Sequence, residues 1–198
     1  MTIRPGETWG EAVPVPEDVV DLHDDAELAA HLDRGDRRPV RLVGGDLLRT
    51  LGGRSTGGGL QRFPIDVLRI DADGRRFTAV AHVVVRDRRS AGWRGPIVAV
   101  MNTDRRGGWD VAPRAHPNDG RVDIVEVAAS MGLRARWQAR RRLPTGTHVP
   151  HPAVRTERAS ERRWRFDRPL GLWVDSVGRG TVRSLRVAVE PDGAIVHI

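Results

Sequence analysis

Residues able to do chemistry fall into three groups along this 198-residue sequence. The first is Val43-Gly44-Gly45-Asp46, read as a strand end, a glycine turn and the start of a helix through Leu47–Leu51. That order can bring backbone amides close to a phosphate, because the first amides of a helix lack intrahelical partners and sit at the positive end of its dipole. The same residues equally make an ordinary left-handed turn, to which glycine is suited. The second group is two arginine clusters: Arg134, Arg136, Arg140, Arg141 and Arg142, then Arg155, Arg158, Arg162, Arg163 and Arg165. Such clusters attract phosphates of lipid headgroups or nucleic acid, or simply form solvated faces. The third group is histidine. His148 and His151 are three apart, but Pro150 and Pro152 keep that segment off a helix and no carboxylate stands near, so no metal site is expected. His116, beside Pro117, reads as a turn residue.

Composition narrows the field. The net charge of +7 comes entirely from arginine, since the sequence has no lysine. A phosphate loop of the Gly-x-x-x-x-Gly-Lys type is therefore excluded. Without cysteine there are no disulfides and no thiolate metal sites. No apolar run is long enough to cross a bilayer, and Met1–Gly6 lacks the apolar stretch of a secretion signal. A cytoplasmic protein is expected, able to sit peripherally at a membrane.

The elements that must position these residues change character along the chain. Pro5, Pro14 and Pro16 mark an extended lead-in. Asp24–Leu32 reads as a helix capped by Asp24 or Asp25, ended by Gly35 and Pro39, with a strand at Val40–Val43. Gly57-Gly58-Gly59 reads as a linker, and beyond it the pattern turns to period two. Strands are expected at Ile65–Ile70, Phe77–Val85, Pro96–Met101, Val122–Val127, Trp164–Phe166, Leu170–Val174, Val182–Val189 and Ala194–Ile198, with turns at Asp73-Gly74 and Pro191–Gly193. One helix interrupts them at about Ser130–Leu143, with Leu133 and Trp137 on one face and most arginines on the others, so it could lie on an anionic surface.

The most specific stretch runs from Val100 to Val125. Asn102 ends a strand, the pair Gly107-Gly108 follows, then Ala112-Pro113-Arg114-Ala115, then Asp119-Gly120-Arg121-Val122-Asp123. In order and spacing it resembles the signature of diacylglycerol kinases, sphingosine kinases and related bacterial lipid kinases. Gly146-Thr147-His148 and Val174-Asp175 are similar to further family motifs in register, and the likeness spans roughly residues 63–198. It implies that Asp175 is the general base accepting the lipid hydroxyl proton. Ser176 and Val177 replace the Gly and Glu that follow this Asp in the family, and a plain turn aspartate is the other reading. Asn102, Gly107, Gly108 and Asp119 would line the crevice, or simply make turns. Trp109 stands where the family has a small residue, and could plug or reshape that crevice. Gly44, Gly45 and Asp46 resemble the start of the family's Gly-Gly-Asp-Gly-Thr phosphate loop, but Leu47 and Leu48 replace its end. The family's second loop, Gly-Thr-x-Asn-Asp, is absent, and about sixty residues are too few for a complete nucleotide lobe.

The expected fold is therefore α+β: a mainly antiparallel β-sandwich at 61–198 with one inserted helix, preceded at 1–60 by a small α/β remnant of a nucleotide-binding lobe. The expected function is a lipid-kinase-like protein, catalytically impaired alone, that binds a lipid, an anionic membrane surface or a partner chain. An active kinase completed by dimerisation or a partner is an alternative, and ATP with Mg²⁺ enters only in that case. Nucleic-acid binding through the arginines is the third, less favoured because the aromatics are few and no nucleic-acid motif is present.

Overall fold

A computed structural model describes residues 9–53, 59–90, 92–148 and 151–198. Pro5, and Gly57 and Gly58 of the expected linker, lie outside the described residues. Short strands β1 (Glu11–Val13) and β2 (Val20–Leu22) lead to helix α1 (Asp25–Asp33), strand β3 (Val40–Leu42) and helix α2 (Gly45–Thr50). The long strand β4 (Leu60–Ala72) begins the β-rich part. It continues through β5 (Arg75–Ala79), β6 (His82–Arg86), β7 (Ile97–Met101), β8 (Arg105–Arg106), β9 (Trp109–Asp110) and β10 (Val122–Val127). Helix α3 (Leu133–Arg142) and a turn of 3₁₀ helix (Leu143–Thr145) intervene before β11 (Val154–Ala159), β12 (Glu161–Val174) and β13 (Val177–His197).

The main sheet runs β1-β4-β13-β12-β6-β7-β10-β11, with antiparallel neighbours throughout. β5 pairs with β4 in the hairpin that Asp73-Gly74 turns, where both residues take positive φ (52° and 80°). The small α/β part joins through parallel contacts: β2 to β3, and β3 to the end of β13. This is the expected α+β architecture, a sandwich-like curled sheet carrying few helices.

Alternation along the strands sorts residues to two faces. Val83, Val85, Val98, Val100 and Ile124 point into a core shared with Leu68, Ile70, Leu172, Leu185 and Val187 from β4, β12 and β13. Their neighbours Val84, Ala99, Met101 and Val125 point the other way, into a second cluster with Val111, Ala112 and Ala115. Burial on both faces explains why 97–101 is an unbroken apolar run. A third cluster packs Leu28, Leu42, Leu47 and Leu48 of the α/β part onto Phe63, Ile65, Val67 and Val196.

Three expectations about elements change. The expected strand Phe77–Val85 is broken at Val80-Ala81, whose amides turn to a side chain described below. Trp164–Phe166 and Leu170–Val174 are parts of one strand, with a register shift between Arg165 and Leu170. The expected turn at Pro191–Gly193 is instead a bulge within β13, between Glu190 and Ala194. One extra stretch in a strand kinks it without ending it.

Candidate functional site

The start of α2 is built around an aspartate from another element. The Asp25 carboxylate accepts from the Asp46 amide (2.7 Å) and the Leu47 amide (3.1 Å). These are the donors a helix N-terminus offers to an anion. Asp25 is buried, and burial pushes its pKa up to about 6 despite those two bonds. The glycines permit the contact. A Cβ on Gly44 would lie 2.0 Å from the His23 carbonyl oxygen, and one on Gly45 (φ +100°) would lie 2.4 Å from Asp25 Oδ1. The pair Gly44-Gly45 thus lets the β2–α1 connection lie directly on the turn.

Asp46 turns the other way. Its carboxylate accepts from the Gly107 amide (2.8 and 3.0 Å) and from Arg49 Nη1 (3.0 Å), which ties α2 to the β8–β9 hairpin. The neighbouring Arg106 donates from Nε to His82 Nε2 at 3.3 Å, and Ser176 Oγ lies 3.2 Å from the same nitrogen. His82 is wholly buried. Burial first, and then the Arg106 charge, push its pKa down to about 3, so it is a neutral acceptor at Nε2.

Asp175 lies at the turn between β12 and β13, where it and Ser176 both have positive φ (43° and 67°). That is the geometry of a two-residue hairpin turn with the twist strands prefer. Its carboxylate accepts three amides: Val80 (2.9 Å), Ala81 (3.0 Å) and His82 (2.9 Å). The break between β5 and β6 is the other half of this contact. Burial pushes the Asp175 carboxyl up to about 7 against the pull of the His82, Val80 and Ala81 amides, and the Asp25 charge adds to the rise. Both oxygens face backbone rather than a crevice.

Behind this network lies a cavity of about 280 Å³. Its floor is the second face of β6, β7 and β10, through Val84, Ala99, Val125 and Val127. Its roof is α3 with Leu143, and Trp93 and Trp109 stand at its edges. The lining contains four arginines (Arg86, Arg106, Arg136 and Arg140), the buried His148 and no carboxylate. Arg136 is a structural tie: its guanidinium donates to the carbonyls of Met131 (2.9 Å), Gly92 (2.9 Å), Gly95 (2.6 Å) and Ala128 (2.8 Å). Arg140 stacks over Trp93 and Trp109, at 5.2 and 4.7 Å from their ring centres. Arg86 stacks over Trp173 at 4.1 Å.

The residues singled out in the sequence thus divide. Gly44, Gly45, Asp46 and Gly107 meet in one network, and Asp175 joins it through His82. Asn102 is wholly buried and donates to the Asp66 and Val80 carbonyls at 2.9 and 2.8 Å, so it clamps strands together. Gly108 is exposed in the β8–β9 turn. Asp119 accepts from the Arg121 amide (3.1 Å) and pairs with Arg158, outside the cavity. His116 accepts the Asn118 amide in its turn (3.2 Å), and Trp109 lines the cavity. Leu133 and Trp137 do share a face of α3, but it is the outer one: they are 51% and 49% exposed while Arg136 is buried beneath the helix. His82, Arg86, Arg106 and Trp93 were not singled out. The one available signal was a histidine and two arginines bounding apolar strands.

The overall fold is similar to that of three solved structures from Bacillus anthracis str. Sterne, all described with the words diacylglycerol kinase. Two of them match with TM-scores of 0.66 and 0.67 at 13% and 12% identity, over 90% of this chain and 77% of theirs. The third has a TM-score of 0.60 at 14% identity, over 90% of this chain and 75% of its own. No curated protein matches the sequence. Residues 60–195 match the family model of the YegS C-terminal NAD kinase beta sandwich-like domain, and the chain belongs to that family.

Proposed function

We propose that this chain binds a lipid in the cavity beneath α3 while docked on an anionic membrane surface, and that alone it does not transfer phosphate. The observation that carries the reading is the cavity itself, an apolar floor roofed by a basic helix. The outer face of that helix supports the docking half. Exposed Leu133 and Trp137 lie among Arg134, Arg141 and Arg142, and Arg141 stacks 4.8 Å above the Trp137 ring. Apolar and aromatic side chains flanked by arginine suit the interface between lipid headgroups and acyl chains.

ATP and Mg²⁺, which the family resemblance implies, do not fit the residues present. The α2 amides that would receive nucleotide phosphates already bind the buried Asp25 carboxylate. Asp175, aimed at the 80–82 backbone, has the surroundings of an anchor rather than of a base that a lipid hydroxyl reaches.

Co-sedimentation with neutral and anionic vesicles at low salt tests the binding. Retention on anionic vesicles is expected, and absence of binding to both kinds would sink the proposal. Incubation with ATP, Mg²⁺ and diacylglycerol is expected to yield no phosphorylated lipid, and turnover by the chain alone would overturn the non-catalytic half.

A further inference from the structure

We infer that the cavity selects a single acyl chain carrying an anionic head, with Arg86, Arg106 and Arg140 as the cations that receive it; this rests on the lipid-binding reading above. Several arginines elsewhere in the fold are paired with carboxylates. Arg38 pairs with Asp36, Arg41 with Asp21, Arg168 with Asp87 and Arg186 with Glu161, all at 2.6 Å. Arg86, Arg106 and Arg140 form no ion pair among the described residues, yet all three line one cavity. Arg106 spends only Nε, on neutral His82. The nearby Asp46 carboxylate is taken by the Gly107 amide and Arg49.

All three guanidinium groups are held in place before any ligand arrives, two by stacking on tryptophan and one by the buried imidazole. Preorganisation of this kind lowers the ordering cost of binding. They also repel one another. Burial lowers the pKa of Arg86 and the Arg140 charge adds to the effect; burial lowers that of Arg106 and the Arg86 charge adds to it. Arginine keeps its proton in proteins, so this crowding, offset in part at Arg106 by the Asp46 charge, is relieved further by an incoming anion. A neutral head would bring no counter-charge to half-buried Arg86 and Arg106 or to exposed Arg140, whereas a carboxylate or phosphomonoester gains charge-assisted bonds with them. The chain count follows from size: about 280 Å³ lies at the small end of ligand cavities, room for one tail rather than two.

Twelve-carbon ligands matched in tail length provide the test, using the full chain and the fluorescence of the cavity tryptophans, with titration calorimetry alongside. Laurate and dodecyl phosphate are expected to bind about tenfold or more tightly than dodecanol, the ratio equivalent to one charge-assisted contact. The first two ligands tell a carboxylate head from a phosphate head. In Arg86→Gln and Arg106→Gln the anion preference is expected to fall about tenfold with dodecanol unchanged, whereas Arg86→Lys retains it. Equal affinity for dodecanol, or equal losses for both ligand kinds in the glutamine variants, would overturn the inference while leaving lipid binding standing. Inorganic phosphate competing as strongly as dodecyl phosphate would overturn the role of the tail. Failure of every amphiphile, dodecanol included, would refute the lipid-binding reading itself.

Discussion

Replacing Asp175 by asparagine removes a titration while keeping the size of the side chain, and it sets two effects against each other. Three backbone amides favour the ionised carboxylate; complete burial disfavours it. Burial is the larger, and the folded-state pKa rises from 3.8 to about 7. Between those values the folded chain holds a proton that the unfolded chain has released. The contribution to stability is therefore fully present below pH 3.8 and is lost as pH rises through about 7. At 1.36 kcal/mol for each pKa unit, the wild type should lose up to about 4 kcal/mol relative to Asp175→Asn between pH 4 and pH 8. That figure is an upper bound, because Asp25 titrates in the same range and is coupled to Asp175. Histidines with lowered pKa, such as His82, act in the opposite sense. They are present in both proteins and cancel in the difference. Urea unfolding of both proteins at pH 4, 6 and 8 measures it. If the difference stays constant, or if the wild type gains on the variant as pH rises, the amides outweigh burial and the reasoning fails.

Other expectations follow from single contacts. Arg136→Met leaves four carbonyls without their shared donor and should cost about 3 kcal/mol in urea unfolding. Because α3 roofs the cavity, the same variant should bind dodecyl phosphate more weakly. Gly44→Ala places a Cβ 2.0 Å from a backbone oxygen, and a loss of about 2–4 kcal/mol is expected by thermal or urea unfolding. Leu133→Asp with Trp137→Ser removes the exposed apolar pair and should lower affinity for anionic vesicles at least about tenfold, with unchanged circular dichroism.

Much of the fold was legible because period two and turn chemistry are local signals. Asp73-Gly74 announced its hairpin, Asp24 and Asp25 a helix cap, and the apolar run at 96–101 a strand. The Asp24 cap is present, with Oδ1 accepting the Glu27 amide at 2.8 Å. What failed to show depends on partners distant in sequence. Asp175 interrupts a strand 93–95 residues earlier by taking its amides, and nothing near Val80 signals it. Asp25 reads as a second candidate cap for its own helix, yet it caps α2, which begins twenty residues later. Pro191–Gly193 has every mark of a turn, but pairing with β4 on both sides carries the strand through as a bulge. For α3, four-residue spacing put Leu133 and Trp137 on one face correctly; which face is inward depends on the cavity and on the carbonyls that hold Arg136. The candidate site was legible as motifs, not as an arrangement.

The Asp25 carboxylate at the head of α2 has a consequence in mass action. Any external phosphate seeking the Asp46 and Leu47 amides competes with an anion that the chain supplies itself, fixed at bonding distance. Short flexible tethers already give effective concentrations in the millimolar range, and a competitor held by a folded backbone exceeds them by a wide margin. A nucleotide at millimolar concentration would have to displace this internal ligand and leave a buried carboxyl without its donors. Opening the loop to phosphate would therefore take a change at position 25, with no alteration of the glycines needed.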